Sequence, residues 1–105
     1  MAKYLYVYHG GGGSPQLSKE EMDKVMQAWG GWFGGLGAAV VDAGNPVGKS
    51  TTVKNGSVVA NGGANPATGY SIIEAASLDD AVAKAKGCPI HAAGGSVEVA
   101  EILPM

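Results

Sequence analysis

A single cysteine, Cys88, leaves no intrachain disulfide and no multi-cysteine zinc site. Charge is scarce as well. Only 15% of residues are charged and the net charge is -2, so the chain has no basic footprint for nucleic acid and is no charged tail. No apolar run approaches the ~20 residues of a membrane span. The opening residues MAKYLYVYHG lack a hydrophobic signal core followed by a cleavage site. A cytoplasmic protein is expected, with neither nucleic acid nor membrane as partner. Asn55-Gly56-Ser57 matches a glycosylation sequon, which in that compartment reads as a turn.

What is present is enough for a core. The 105 residues are 46% hydrophobic and read as one domain spanning 1–105. Eighteen glycines are present, with clusters at 10–13, 30–31, 34–35, 62–63 and 94–95 and no collagen-like period.

Lys3 to His9 reads as a strand, with Tyr4, Tyr6 and Tyr8 on one face and Leu5, Val7 and His9 on the other. Neither face is clearly polar, which predicts cover on both. After a glycine-rich loop, Ser18 and Glu21 form a capping box, with Leu17 and Met22 at the staple positions. Met22, Val25, Met26, Trp29, Phe33 and Leu36 then recur at helical spacing, predicting a helix to about residue 35. The glycine pairs inside it mark either a weakened, kinked helix end or the close approach of another backbone.

Ala38 to Asp42 is a short β-type run, broken by Gly44-Asn45-Pro46. Thr51 to Ala60 reads as a hairpin turning at Asn55-Gly56. Gly69 to Ala75 is a strand. Ser77 caps a second helix whose stripe is Leu78, Ala81, Val82 and Ala85, with Gly87 as a left-handed terminal residue. Val97 to Ile102 is the last strand. The order predicts an α+β fold: a ferredoxin-like βαββαβ plan with an extra hairpin, and helices on one face of an antiparallel sheet. Tyr4, Tyr6, Tyr8, Ile72 and Ile73 are expected to make the other face apolar, and a homodimer through that open sheet face would cover it.

The succession YLYVY, S-x-E-E-M, D-A-G-x-P, T-T-V, G-Y-x-I-I-E, S-L-D-D-A, G-C-P, G-G-x-V-E-V and L-P-M resembles the YCII-related domain family, closest to its DGPF-named branch. The resemblance covers nearly the whole chain and implies a dimeric α/β barrel. It implies little chemistry. Other branches have a proposed His–Asp pair with the His on the first helix, where this chain has none. At the branch's name-giving motif this chain reads Asn61-Gly62-Gly63-Ala64.

Gly44 to Thr51, GNPVGKST, resembles a phosphate loop but has three residues, not four, between its glycines and runs into a β-type segment. Lys49 is left as an anion contact. His9 ends the first strand and Asp42 the second, so the two form a candidate general-base pair, with a solvated strand-end His9 as the alternative. His91 reads as an exposed loop residue, and a two-His metal site lacks a third ligand. Cys88 follows a helix C-terminus, where the dipole raises a thiol pKa. Trp29 reads as core and Trp32 as the cavity-lining tryptophan. The expected function is small-molecule binding in a cleft between helix 1 and the sheet, lined by Tyr6, His9, Trp32, Asp42 and Tyr70, with no cofactor called for. The alternatives are an enzyme using His9 and Asp42, or a non-catalytic dimeric interaction module.

Overall fold

The computed structural model describes residues 2–10, 18–48, 50–60 and 66–104. In chain order the elements are β1 (Ala2–His9), α1 (Lys19–Leu36), β2 (Val40–Asp42), β3 (Thr51–Lys54), β4 (Ser57–Ala60), β5 (Ala67–Ala75), α2 (Leu78–Ala85) and β6 (Ser96–Glu101). Short 3-10 turns at Gly37–Ala39 and Pro89–Ala93 lead into β2 and toward β6. The main sheet has the order β2-β5-β1-β6, with every pairing antiparallel. This is an α+β fold compatible with the ferredoxin-like plan. No helix among the described residues is long and apolar enough to cross a membrane.

Local chemistry accounts for the element starts. Ser18 accepts from the Glu21 amide at 3.1 Å and its hydroxyl donates to the Glu21 carboxylate at 3.1 Å. Leu17, the staple residue, lies outside the described residues. Ser77 accepts from the Asp80 amide at 3.1 Å, and Asp80 in turn takes the Ala76 amide at 3.0 Å and Lys84 at 2.7 Å. The hairpin turns where sequence places it, with Asn55 and Gly56 both at positive φ (50° and 79°), as a primed turn requires. β3 and β4 pair with each other in a separate sheet, and Thr51–Val59 are exposed on both faces.

The sheet faces are the reverse of the expectation. Tyr4, Tyr6 and Tyr8 stand opposite Ile73, Ser71 and Gly69 on β5, and opposite Glu101, Val99 and Val97 on β6. Directly opposite residues share a face, and this is the face under the helices. Tyr6 donates its hydroxyl to the Ala81 carbonyl of α2, and Tyr8 meets Trp29 of α1. Tyr4, Tyr6, Tyr8 and Ile73 are therefore core, together with Ala75, Ala81, Ala85, Cys88 and Ile90. The tyrosines win this face because their rings span the gap to the helices and each of these two buried hydroxyls finds a partner. The uncovered face carries Leu5, Val7, Tyr70 and Ile72, all half-buried, with Lys3, Glu74 and Glu98 around them. Of the five residues expected there, only Ile72 is.

The helices differ from expectation in detail. α1 runs unbroken through Gly30, Gly31, Gly34 and Gly35, and a Cβ added at any of them would meet nothing within 4 Å. No backbone in the described chain closes on these glycines. The stripe of α1 is exposed at Met22, Val25 and Met26, and only Trp29, Trp32, Phe33 and Leu36 reach inward. In α2 only Ala81 and Ala85 are buried, while Leu78 and Val82 are exposed. Gly87 is not among the glycines at positive φ; α2 closes instead on Lys86 in right-handed geometry.

A candidate small-molecule pocket between α1 and the sheet

A cavity of about 400 Å³ lies between α1 and the sheet, within the size range of small-ligand sites. Met26, Trp29 and Phe33 of α1 form one wall. They share it because positions three, four and seven apart lie on one helical face. Tyr8, at the end of β1, forms the floor, with Ile90 of the second 3-10 turn beside it. The remaining wall is the loop after β2, Ala43 to Pro46, laid along Thr68, Gly69 and Tyr70 of β5.

The rings are set edge to face. Tyr8 and Trp29 have centroids 5.0 Å apart and planes at 85°, and Phe33 lies 6.0 Å from Trp29 at 39°. Beneath them runs a hydroxyl relay. Tyr8 donates to Ser71 Oγ at 2.6 Å, and Ser71 donates to the Ala43 carbonyl at 2.6 Å. Ser71 is fully buried, so this relay satisfies a polar group that would otherwise be costly. Burial raises the Tyr8 phenol well above its ordinary value, while the bond to Ser71 acts the other way. Thr68 donates to the carbonyls of Tyr8 and Gly10, at 3.2 and 3.0 Å, where β5 is out of step with β1.

Glycine is required in the loop wall. Gly44 has φ 76°, and a Cβ there would sit 1.7 Å from the Tyr70 carbonyl oxygen. Asp42 fixes the same turn, its carboxylate accepting from the Gly44 amide at 2.8 Å. Asn45 and Val47 then bond to β5 through Tyr70 N to Asn45 O, 3.3 Å, and Val47 N to Thr68 O, 3.0 Å. The loop is thus stitched to the strand as one wall.

Most of the residues that sequence pointed to lie elsewhere. Tyr6 is fully buried, stacked on Trp32 with centroids 6.1 Å apart, and does not line the cavity. Trp32 is packing: its indole N–H donates to the Lys84 carbonyl at 3.1 Å, tying α1 to α2. Trp29, read as core, does pack against the core and is also the tryptophan of the cavity wall. Tyr70 does border the cavity, and strand alternation directs its side chain to the opposite face, so the backbone is what it offers. Lys49 lies outside the described residues.

His9 and Asp42 are not brought together. Asp42 stands opposite Ile72 and His9 opposite Ala67 on β5, which separates them by roughly 16 Å along the strand direction alone. His9 Nε2 faces Glu98 Oε1 at 3.0 Å and Nδ1 faces the Pro66 carbonyl at 3.3 Å, and the tautomer decides which nitrogen donates. His91 is exposed, as expected, with Nε2 3.0 Å from the Ala85 carbonyl. Cys88 is buried, and that burial, more than any helix dipole, pushes its thiol up to about 11. Thr51 begins a strand rather than a helix, so Gly44 to Thr51 has no helix N-terminus to aim at a phosphate. Among the described residues, no three His, Cys, Asp or Glu side chains come together to hold a metal ion.

The sequence signals for this pocket were present in part. Met26, Trp29 and Phe33 share one helical face, and Asp42 two residues before Gly44 is the pattern of a side-chain-closed turn. The chain matches no protein-family model and no curated protein.

Proposed function

We propose that this protein binds a small organic molecule in the cavity between α1 and the sheet, and does so as a homodimer. The cavity itself carries the reading: about 400 Å³, walled by Tyr8, Trp29 and Phe33 and held open by the Gly44 loop stitched to β5. Binding without acid–base catalysis is the form favoured, because the one sequence candidate for such chemistry is split along β5, with His9 opposite Ala67 and Asp42 opposite Ile72. The test is a ¹H-¹⁵N correlation spectrum of the protein with a fragment library. Hits that move the Trp29 indole signal together with the Gly44 and Gly69 amides support the reading. A library with no compound moving these signals overturns it.

The dimer rests on the uncovered sheet face. Leu5, Val7 and Ile72 make an apolar centre with charged residues at its rim, on a molecule only 18 Å through its shortest axis. Two such faces packed together give the dimeric α/β barrel that the YCII-related resemblance implies. Sedimentation at micromolar concentration should return about twice the chain mass, and Val7→Glu should halve it. A native chain that sediments as a monomer would exclude the barrel.

A further inference from the structure

We infer that the cavity takes an uncharged aromatic ring compound and discriminates against ionic ones. This rests on the small-molecule reading above and names the ligand class. Among the described residues, none that lines the cavity is Asp, Glu, Lys, Arg or His. A carboxylate or ammonium group carried into the cavity would lose water and find no opposite charge among the described lining residues, which costs far more than burying a neutral ring. The hydroxyls around the cavity have committed their protons and are left only to accept. Tyr8 has spent its proton on Ser71, Ser71 on the Ala43 carbonyl, and Thr68 on the carbonyls of Tyr8 and Gly10. Among the described lining side chains, the exposed Asn45 amide at the rim can bond a polar substituent by donating or by accepting, and the Trp29 indole N–H can donate.

The walls favour a ring over a flexible chain. Trp29 stands at 85° to Tyr8, so the two rings already meet edge to face, and Phe33 is tilted beside them. An added ring can take the same offset or edge-on contacts. Met26, 70% exposed at the mouth, offers a thioether that packs on ring edges.

The probes are indole, tryptamine and indole-3-acetate, which share one ring and differ in charge. Each is titrated by calorimetry, and its site is read from the Trp29, Gly44 and Gly69 signals. Indole should bind at least tenfold tighter than either charged analogue. In Asn45→Asp, which places a carboxylate at the exposed rim, tryptamine should gain severalfold and indole-3-acetate should lose. Equal or tighter binding of an ion at the same signals in the native chain overturns the neutral class, while leaving the cavity as a ligand site. Binding of aliphatic library compounds there, with none of the three indoles, overturns the aromatic class. If no compound of any kind moves these signals, the cavity reading fails, and this inference with it.

Discussion

The Tyr8 hydroxyl donates to Ser71 Oγ at 2.6 Å beneath the floor of the cavity, joining β1 to β5 by a side-chain bond in addition to their ladder. Ser71 passes the same bond on to the Ala43 carbonyl, so one buried hydroxyl couples the cavity floor to its loop wall.

Ser71→Ala should therefore destabilise the fold by about 1–3 kcal/mol, because it strands a phenol and a carbonyl without partners. Tyr8→Phe with Ser71→Ala should recover part of that loss. Urea unfolding of the native, single and double variants measures it. Additive losses in the double variant would mean that the two hydroxyls are not coupled.

Alkaline stability follows from the buried acids. Cys88 is raised from 9.0 to about 11 and Tyr6 from 10.0 to about 12, burial being the main cause for both, and Tyr8 is raised as well. The folded state holds these protons more tightly than the unfolded chain. Their contribution is fully present below pH 9.0, starts to fall as unfolded Cys88 ionises, and falls faster above 10.0 as the unfolded tyrosines follow. The urea midpoint should be flat from neutral to pH 9 and drop steeply toward pH 11. Replacing Cys88 with Ala should delay the onset by about one unit. A midpoint that rises above pH 9 would contradict the assignment.

Gly44→Ala and Gly94→Ala form a matched pair, with φ 76° and 82°. At Gly94 an added Cβ meets nothing within 4 Å, whereas at Gly44 it meets the Tyr70 carbonyl. Both should lose about 1–2 kcal/mol for left-handed backbone. Gly44→Ala should lose clearly more and should also displace the loop wall, visible as shifts at Asn45 and Tyr70. Equal losses would mean that the loop is not held against β5.

The four helix glycines predict the opposite sign. Gly31→Ala and Gly35→Ala add helix propensity where there is open space, so each should raise stability by about 0.5–1 kcal/mol. Thermal unfolding decides it. A loss at either position would place another chain against α1.

Sequence made the elements legible and left their assembly illegible. Ser18 with Glu21, Ser77 with Asp80, and Asn55-Gly56 act within four residues, so their signals are local and survive intact. The choice of sheet face is not local. Strand β1 alternates two apolar sets, and nothing within the strand tells which lies under helices; only the reach of the tyrosines to Ala81, Ser71 and Trp29 decides it. Trp29 and Trp32 differ by about 60° around α1, too little for periodicity to say which one packs on α2 and which borders the cavity. The His9–Asp42 pair failed for the same reason: strand order suggested nearness, and the register on β5 removed it. Asp42 proved to be a turn-former for the cavity wall, a role its spacing to Gly44 does encode.

The most direct test of the account is the set of intermolecular NOEs from a bound neutral ring such as indole. The account predicts contacts to the Tyr8 ring and to the Trp29, Phe33 and Ile90 side chains, all on the helix side of the sheet. Contacts to Leu5, Val7 and Ile72 on the opposite face would contradict it, and so would a library in which no compound gives any NOE to the cavity walls.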